Sequence, residues 1–287
     1  MAAPAGPSLR QLVDQAARRL AEAGIDRARA EARLLVGHAL GLSLENVLAR
    51  DSDIVDTAAE AKIAALVARR LRREPMAQIL GWREFYGRRF RVGRDVLTPR
   101  PDSETLVEAV LARLRMRDGE LRLLELGVGS GCLLLTLLAE LPRATGLGID
   151  ISPAALEMAK SNAQMLGVTG RAELRHGDWS ASVSGRFDAL IANPPYIVSD
   201  DIAGLEPEVA QYEPRLALDG GPDGLVFYKR LIGDLDRLVE TDGFVALEVG
   251  VGQAAAVAGL LAGAGFGAIA RHRDLAGIER CVIAARR

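Results

Sequence analysis

The tetrapeptide Asn193-Pro194-Pro195-Tyr196, which follows the apolar run 187–192, has the residue types best suited to a chemical role. Consecutive prolines donate no backbone hydrogen bonds and hold a rigid extended turn, while their carbonyl oxygens remain free acceptors. The Asn193 side-chain oxygen and the Pro194 carbonyl can accept both protons of an –NH2 group, and Tyr196 can stack on its plane. We predict Asn193, Pro194 and Tyr196 as catalytic, and all four residues as binding a planar amide or amine. The alternative is a purely structural Pro-Pro turn.

A second segment, Gly127-Val128-Gly129-Ser130-Gly131, lies between a predicted strand and a predicted helix. Glycines let the backbone turn sharply and approach a ligand closely. The dinucleotide pattern G-x-G-x-x-G needs Gly or Ala at position 132, where this chain has Cys132, so a pyrophosphate cradle fits poorly. A G-x-G-x-G turn preceded by an acid, Glu125, better suits S-adenosylmethionine, which has a cationic amino-acid end and a ribose. We predict residues 127–131 as cofactor-binding; a plain strand–helix turn is the alternative.

Two further residues complete the predicted cofactor site. Asp150 ends the second predicted strand, where a carboxylate can accept hydrogen bonds from both ribose hydroxyls. Trp179 follows the third strand, where an indole can cover a purine face, with Asp178 beside it to hold the adenine amino group. The alternatives are a helix-capping role for Asp150 and an ordinary turn around Trp179. Asn193 is also predicted to contact the cofactor. The long polar loop 213–224 is either a functional lid or a solvated connector.

These segments need a scaffold, and strand and helix periods alternate from residue 121 to the end. Strands are predicted at 121–126, 145–149, 171–176, 187–192 and 243–249, and helices at 132–141, 153–166, 225–239 and 253–264. Alternation over this length indicates an α/β fold with a doubly wound sheet, which binds ligands at the carboxyl ends of its strands. The last two strands, 266–273 and 279–285, predict an antiparallel C-terminal hairpin at one edge of the sheet.

The chain before the sheet predicts a small helical bundle over 1–75, because apolar residues recur there at helical spacing. Residues 76–98 predict a β-hairpin linker around Gly87, and 99–287 form the sheet domain. Pro99 and Pro101 are expected to exclude helix before one that opens near Ser103.

Composition narrows the possible functions. The 287 residues carry a formal net charge of −2, which argues against a protein that binds nucleic acid stably. Two distant cysteines and three histidines without ligand spacing predict no disulfide and no metal site. No apolar run reaches membrane-spanning length, so we expect a cytoplasmic protein without membrane contact.

Several motifs in combination resemble the bacterial release factor glutamine methyltransferases, the PrmC (HemK) family. The matching segments are 74–81 (EPMAQILG), 84–87 (EFYG), 97–104 (LTPRPDSE), 193–197 (NPPYI) and 213–221 (EPRLALDGG). The resemblance spans nearly the whole chain, although the Asn-Pro-Pro-Tyr motif alone also occurs in methyltransferases that act on adenine or cytosine. The chain departs from the family pattern at Val128, where Thr is usual, and at Glu125, where Asp is frequent. These departures concern cofactor affinity.

The resemblance implies a class I, Rossmann-like methyltransferase domain and an N-terminal domain that recognises a peptide chain release factor. The implied reaction is transfer of a methyl group from S-adenosylmethionine to N5 of the glutamine in the Gly-Gly-Gln motif of that factor. Three alternatives stay open: a ribosomal-protein glutamine methyltransferase, an adenine N6-methyltransferase on nucleic acid, and a catalytically silent scaffold that binds S-adenosylmethionine.

Overall fold

The computed structural model describes residues 6–115, 117 and 119–286. These residues form two compact units. The helical unit ends at Gly81 and also includes the later segment Pro207–Tyr212, whereas the sheet unit comprises Trp82–Glu206 and the chain from Glu213 onward. The sequence predicts 207–212 as part of the 99–287 domain, because a return of the chain to an earlier unit leaves no periodic signal.

The described residues contain the following elements. The helices are α1 (Leu9–Glu22), α2 (Ala28–Leu40), α3 (Leu44–Ala49), α4 (Thr57–Leu71), α5 (Met76–Leu80), α6 (Glu104–Leu114), α7 (Cys132–Glu140), α8 (Pro153–Met165), α9 (Pro207–Ala210), α10 (Val226–Ile232), α11 (Leu235–Leu238) and α12 (Ala254–Gly263). The strands are β1 (Trp82–Phe85), β2 (Arg88–Arg91), β3 (Leu121–Leu126), β4 (Ala144–Asp150), β5 (Ala172–His176), β6 (Phe187–Ala192), β7 (Val239–Glu248), β8 (Phe266–Arg273) and β9 (Glu279–Arg286).

The helices of the helical unit begin at side-chain caps and pack around an apolar core. Ser8 and Gln11 form a reciprocal capping box before α1, and the side chains of Ser43 and Asp56 accept backbone hydrogen bonds at the starts of α3 and α4. Leu20 and Leu35 are fully buried in the core between them. The helical bundle predicted over 1–75 is therefore present, with α1 to α4 in that range.

A buried ion-pair cluster holds the segment Pro207–Tyr212 within the helical unit. Arg70, on α4, is 6% exposed and contacts the Glu31 carboxylate at 2.6 Å and the Glu208 carboxylate at 2.8 Å. The Gln78 side-chain amide also donates to the Tyr212 carbonyl at 3.1 Å. This returning segment is thus fixed by charged and polar contacts with helices far away in the sequence.

The sheet of the sheet unit has the strand order β5-β4-β3-β6-β7-β9-β8. The first five strands are parallel, and β9 pairs antiparallel with both β7 and β8. Side chains of β3 alternate between two apolar clusters, one containing Leu123 with α6 and α7, the other containing Leu124 with α10 and α12. The predicted doubly wound α/β fold with a C-terminal antiparallel hairpin at one edge is confirmed.

Three local predictions need correction. The helix expected over 225–239 is divided into α10 and α11 around Gly233, because glycine is a poor helix former, and β7 begins at Val239 rather than 243. Pro101 is expected to exclude helix, but it begins a single 3-10 turn over Pro101–Ser103, because proline is tolerated in the first turn of a helix. The segment 76–98, expected as a hairpin linker, begins with the helix α5, and its strands β1 and β2 pair antiparallel around Gly87.

Candidate active site

A cavity of about 430 Å³ lies at the carboxyl ends of β3, β4 and β6, where the sequence analysis expected a ligand site. The predicted site residues that line it are Gly127, Val128, Gly129, Ser130, Asp150, Trp179, Asn193 and Pro195. Of the predicted residues, all of which the structure describes, Gly131, Pro194 and Tyr196 do not line the cavity. The two predicted halves of the site, the glycine turn and the Asn-Pro-Pro-Tyr segment, therefore share one cavity.

The glycine turn after β3 depends on backbone angles that favour glycine. Gly127, Gly129 and Gly131 have φ angles of 76°, 52° and 80°. The amides of Gly127 and Val128 donate to the Ile149 carbonyl at 2.8 and 3.0 Å, which fixes the turn against the end of β4. Val128 is 2% exposed and faces Gly148, where a Cβ would lie 2.9 Å from the valine Cγ2.

Asp150 joins the glycine turn to the segment after β4. Its carboxylate accepts hydrogen bonds from the Gly129 amide at 2.8 Å and from the Ser152 amide at 2.9 Å, one at each oxygen. Each oxygen keeps acceptor capacity toward the cavity. Ser152 caps α8 with its own hydroxyl, which accepts from the Ala155 amide at 3.2 Å. Asp150 is thus free of the helix-capping role considered as its alternative.

Aromatic side chains form one wall of the cavity. Trp179 has φ of 53°, and its ring lies 4.6 Å from the ring of Phe227, with 33° between their planes. Asp178, next to it, pairs with Arg230, whose nitrogens lie 2.8 and 3.0 Å from the carboxylate oxygens. Hydrogen bonding to Arg230 lowers the pKa of Asp178. Asp178 and Arg230 both line the cavity as a pair. No local pattern in the sequence points to Phe227 or Arg230.

Glu125 lies beneath the glycine turn and is 2% exposed. Its carboxylate accepts a hydrogen bond from the Leu134 amide at 2.9 Å, in the first turn of α7. Burial raises the pKa of Glu125 well above its ordinary value, and the nearby charge of Asp150 adds to the effect, while the hydrogen bond from Leu134 opposes it. Glu125 also lines the cavity.

The Asn-Pro-Pro-Tyr turn leaves β6 directly. The Asn193 side-chain nitrogen donates to the Ser103 hydroxyl at 3.4 Å. The Tyr196 hydroxyl lies 3.5 Å from the Glu248 carboxylate, and the Tyr196 carbonyl accepts from the Gln253 side chain at 2.9 Å. Burial raises the pKa of the Tyr196 hydroxyl. The turn is therefore held from three other parts of the chain.

The loop 213–224 packs against this turn and also contributes to the cavity wall. The Ile197 amide donates to the Leu218 carbonyl at 3.0 Å, and the Gly220 amide donates back to the Ile197 carbonyl at 2.7 Å. At its start, the buried Glu213 carboxylate pairs with Arg100 at 2.6 Å. Pro214, Leu216 and Ala217 line the cavity, so the loop is more than a solvated connector.

Sequence reasoning gave no role to three residues that the structure places at the site. Arg100 and Ser103 line the cavity, and Glu248 lies beside Asn193 and Tyr196. The sequence contains a signal for Arg100 and Ser103, because Pro99 and Pro101 mark a break in the chain just before α6. The signal for Glu248 was an acid at the end of the apolar run 244–247.

Sequence comparison matches residues 11–81 to the family model "PrmC N-terminal domain" and residues 102–208 to "Methyltransferase small domain". A release factor glutamine methyltransferase of Rhodospirillum rubrum is 50% identical over 279 residues, covering 97% of this chain and 85% of that protein. One of Cereibacter sphaeroides is 45% identical over 266 residues, covering 93% and 94%. The chain belongs to the release factor glutamine methyltransferase family. Its fold resembles that of a Pyrococcus furiosus methyltransferase, with a TM-score of 0.51 at 15% identity over 70% of this chain and 90% of the other.

The protein is accordingly an S-adenosylmethionine-dependent methyltransferase, and its cavity fits that cofactor. The Asp150 carboxylate offers acceptors for hydroxyl groups, and the ring of Trp179, backed by Phe227, offers a flat surface for a purine. The glycine turn brings the backbone to the cavity without side chains at positions 127 and 129. In the described part of the chain, no helix is both long and apolar enough to cross a membrane.

Proposed function

We propose that the enzyme methylates N5 of the glutamine in the Gly-Gly-Gln motif of peptide chain release factors. The observation that carries this proposal is the shared cavity, in which the cofactor turn at Gly127–Gly129 and the amide of Asn193 both form the lining. Family membership supports the choice of a protein glutamine over a nucleic-acid base, because the curated relatives are named for release factors. A cytoplasmic location, supported by the free thiols Cys132 and Cys281, is part of the same proposal.

The proposed cofactor site consists of Gly127–Gly131, Asp150, Trp179 and Asn193. S-adenosylmethionine supplies, when bound, an electrophilic methyl group attached to a sulfonium, and the group that leaves is a neutral thioether. Asp150 accepts hydrogen bonds from ribose hydroxyls, and Trp179 covers the adenine. Gly131 lies outside the cavity lining. Its role is to shape the turn, because its φ of 80° allows the chain to enter α7 directly after the turn.

The proposed substrate site consists of Asn193, Pro194, Pro195 and Tyr196. Asn193 Oδ1 and the Pro194 carbonyl accept hydrogen bonds from the two N–H groups of the glutamine amide, and Tyr196 limits the tilt of the amide plane. The nitrogen forms a bond to the methyl carbon, the electrons of the carbon–sulfur bond stay on sulfur, and the nitrogen then loses one proton to solvent. As the nitrogen gains positive charge, both hydrogen bonds strengthen, so the turn stabilises the transition state more than the ground state. The rigid prolines maintain the required orientation.

The experiment is a methyl-transfer assay with labelled cofactor and a full-length release factor, followed by mass spectrometry of the modified peptide. We expect one methyl group on the motif glutamine and no transfer to a matched release factor in which that glutamine is replaced by alanine. A ribosomal protein and an adenine-containing DNA serve as competing acceptors. Label on either of these acceptors, with the release factor unlabelled, would contradict the substrate assignment.

A variant tests the role of Asn193 separately. Asn193→Ala is expected to lose at least about a hundredfold in kcat, because removal of one transition-state acceptor costs about 3 kcal/mol or more. The variant should remain folded by circular dichroism. Wild-type turnover in this variant would remove Asn193 from the mechanism.

A further inference from the structure

Glu248 is a buried carboxyl group beside the Asn-Pro-Pro-Tyr turn, outside the cavity lining, and the proposed function gives it no role. It is the last residue of β7, and the pairing of Ala192 with Leu247 places it level with Asn193 at the carboxyl edge of the sheet. The residue is 2% exposed. Burial of a carboxyl group at this depth costs free energy that an apolar side chain would not cost.

The groups around Glu248 belong to the catalytic turn and its supports. The Tyr196 hydroxyl lies 3.5 Å from Glu248 Oε1, and the side chains of Ser103 and Asn193 lie close enough to lower the pKa of the carboxyl group. Among the described residues, Glu248 Oε2 is buried without a hydrogen-bond partner. The Tyr228 hydroxyl donates to the Glu248 backbone carbonyl at 2.7 Å. One carboxyl group therefore lies beside both polar side chains of the Asn-Pro-Pro-Tyr turn.

Among the residues that the structure describes, none forms an ion pair with Glu248. Burial raises the pKa of Glu248 to about 7, while the Ser103 side chain, the charge of Arg280 and the Asn193 side chain lower it. Arg280 lies 3.0 Å from Asp102 and 3.1 Å from Asp274, so its charge is shared with two other carboxylates. The titratable and charged groups facing Glu248 from neighbouring elements are Asp102, Cys132, Tyr196, Tyr228, Arg280 and Cys281.

The chemistry of these groups determines which way the Asn193 amide points. An ionised carboxylate only accepts hydrogen bonds, whereas the Asn193 amide has a donating nitrogen and an accepting oxygen. The nitrogen must therefore face Glu248 and Ser103, and it donates to the Ser103 hydroxyl at 3.4 Å. The oxygen is left for the cavity. With the opposite orientation, Asn193 would present N–H groups to the N–H groups of the substrate, which is repulsive.

We propose that Glu248 is a positioning residue, which together with Ser103 holds the Asn193 amide with its oxygen toward the substrate nitrogen and also anchors Tyr196. The proposal rests on the proposed function, since it assigns the oxygen of Asn193 to an amide substrate. Protonated Glu248 can donate a hydrogen bond to Asn193 and so permits the unproductive orientation. Activity therefore requires the ionised form.

The test measures kcat and KM for a full-length release factor across a range of pH, with wild type and Glu248→Gln. Glutamine has nearly the same shape but carries a donating –NH2 group, so it permits the flipped Asn193. We expect Glu248→Gln to lower kcat by about tenfold or more in mildly alkaline buffer, with KM changed less than about threefold. The kcat of wild type should decrease as the pH is lowered through about 7, with the profile of a single ionisation. The Glu248→Gln variant should not show this decrease.

Two further variants keep the outcome decisive. Ser103→Ala removes the hydroxyl that accepts a hydrogen bond from the Asn193 side-chain nitrogen, and we expect it to lower kcat without removing the acid limb of the pH profile. Glu140→Gln removes a half-buried carboxylate outside the cavity lining, paired with Arg88 and Arg115, and should leave kcat and the profile unchanged.

The outcomes separate this proposal from the proposed function. If wild type methylates the release factor and Glu248→Gln has the same kcat and the same acid limb, the positioning role is wrong while the function stands. If wild type fails to methylate the release factor, the function itself is wrong. If Glu248→Gln does not fold, a normal kcat in Ser103→Ala overturns the proposal instead.

Discussion

Gly220 faces the backbone of Tyr196 so closely that a side chain has no room. A Cβ at Gly220 would lie 2.8 Å from both the Cα and the carbonyl carbon of Tyr196 and 2.9 Å from the Cα of Gly224. All three atoms belong to the backbone, so relief of the clash requires the Asn-Pro-Pro-Tyr turn or the loop backbone to move. Gly220 and Gly224 in the 213–224 loop are thus explained by close approach to the backbone of Tyr196.

Gly220→Ala is therefore expected to displace Tyr196 and to lower kcat by about tenfold to a hundredfold, because small displacements of positioning groups are costly. The overpacking should also reduce the free energy of unfolding by about 1–3 kcal/mol. Steady-state kinetics and urea unfolding measure the two effects. Gly204→Ala is the matched control, since a Cβ at Gly204 meets nothing within 4 Å. Equal behaviour of the two variants would contradict the steric explanation.

The chain contains two tryptophans, which allow the proposed adenine site to be tested by fluorescence. Trp82→Phe leaves Trp179, in the cavity wall, as the only indole, and its emission should change when S-adenosylhomocysteine is added. Trp179→Phe leaves Trp82, which lies under the Arg89 guanidinium at 4.3 Å on the hairpin, and should give no response.

The affinity for S-adenosylhomocysteine is a second test of the aromatic wall formed by Trp179. Trp179→Ala should weaken S-adenosylhomocysteine binding by about three- to tenfold in calorimetry, because aromatic stacking contributes about 0.5–1.5 kcal/mol. A strong fluorescence response from Trp82 alone, together with unchanged affinity in Trp179→Ala, would place the ligand elsewhere.

Arg70 is expected to be important for the stability of the helical unit. Arg70→Met leaves the Glu31 carboxylate without its buried partner and leaves Glu208 with Arg73 alone. We expect a loss of about 3 kcal/mol in the free energy of unfolding, because an uncompensated buried charge is costly. Urea unfolding of Arg50→Met provides the control, since Arg50 and Asp53 are an exposed pair and should contribute about 0.5 kcal/mol or less. Losses of the same size in both variants would contradict the prediction.

The raised pKa of Glu248 also predicts how stability changes with pH. The folded-state value of about 7 exceeds the ordinary value of 4.5, so between these pH values the folded protein holds a proton that the unfolded chain releases. This contribution is full below pH 4.5 and is lost as the pH rises through 7. The free energy of unfolding of wild type relative to Glu248→Gln should therefore fall by up to about 3 kcal/mol over that range.

Urea unfolding at several pH values measures this difference. The contributions of other carboxyl groups to the free energy of unfolding are the same in both proteins and cancel. Glu140→Gln is a control of opposite sign. Hydrogen bonding to Arg88 lowers the pKa of Glu140, so its contribution is present above pH 4.5 and is lost only at lower pH. A difference between wild type and Glu248→Gln that stays constant from pH 4.5 to above 7 would show that Glu248 ionises normally.

Local chemistry in the sequence was enough to predict two segments that contribute to the cavity wall and most of the elements that hold them. Glycines at 127, 129 and 131 indicated positive φ angles, and the prolines at 194 and 195 indicated a rigid turn, because both properties belong to the residues themselves. Apolar periodicity predicted the strands and helices of the doubly wound sheet for the same reason. Where propensity was weak, as at Gly233, the predicted boundaries were wrong.

Only the tertiary structure could bring together residues that share no local pattern. Phe227 behind Trp179, and Glu248 beside Asn193, become neighbours through strand order and helix packing. The return of Pro207–Tyr212 to the helical unit depends on Arg70 and Glu208, which are 138 residues apart. The sequence by itself thus determined the local conformations and the reactive groups, because these depend on near neighbours along the chain. The tertiary structure decided which groups support them, because burial and charge pairing are properties of the folded whole.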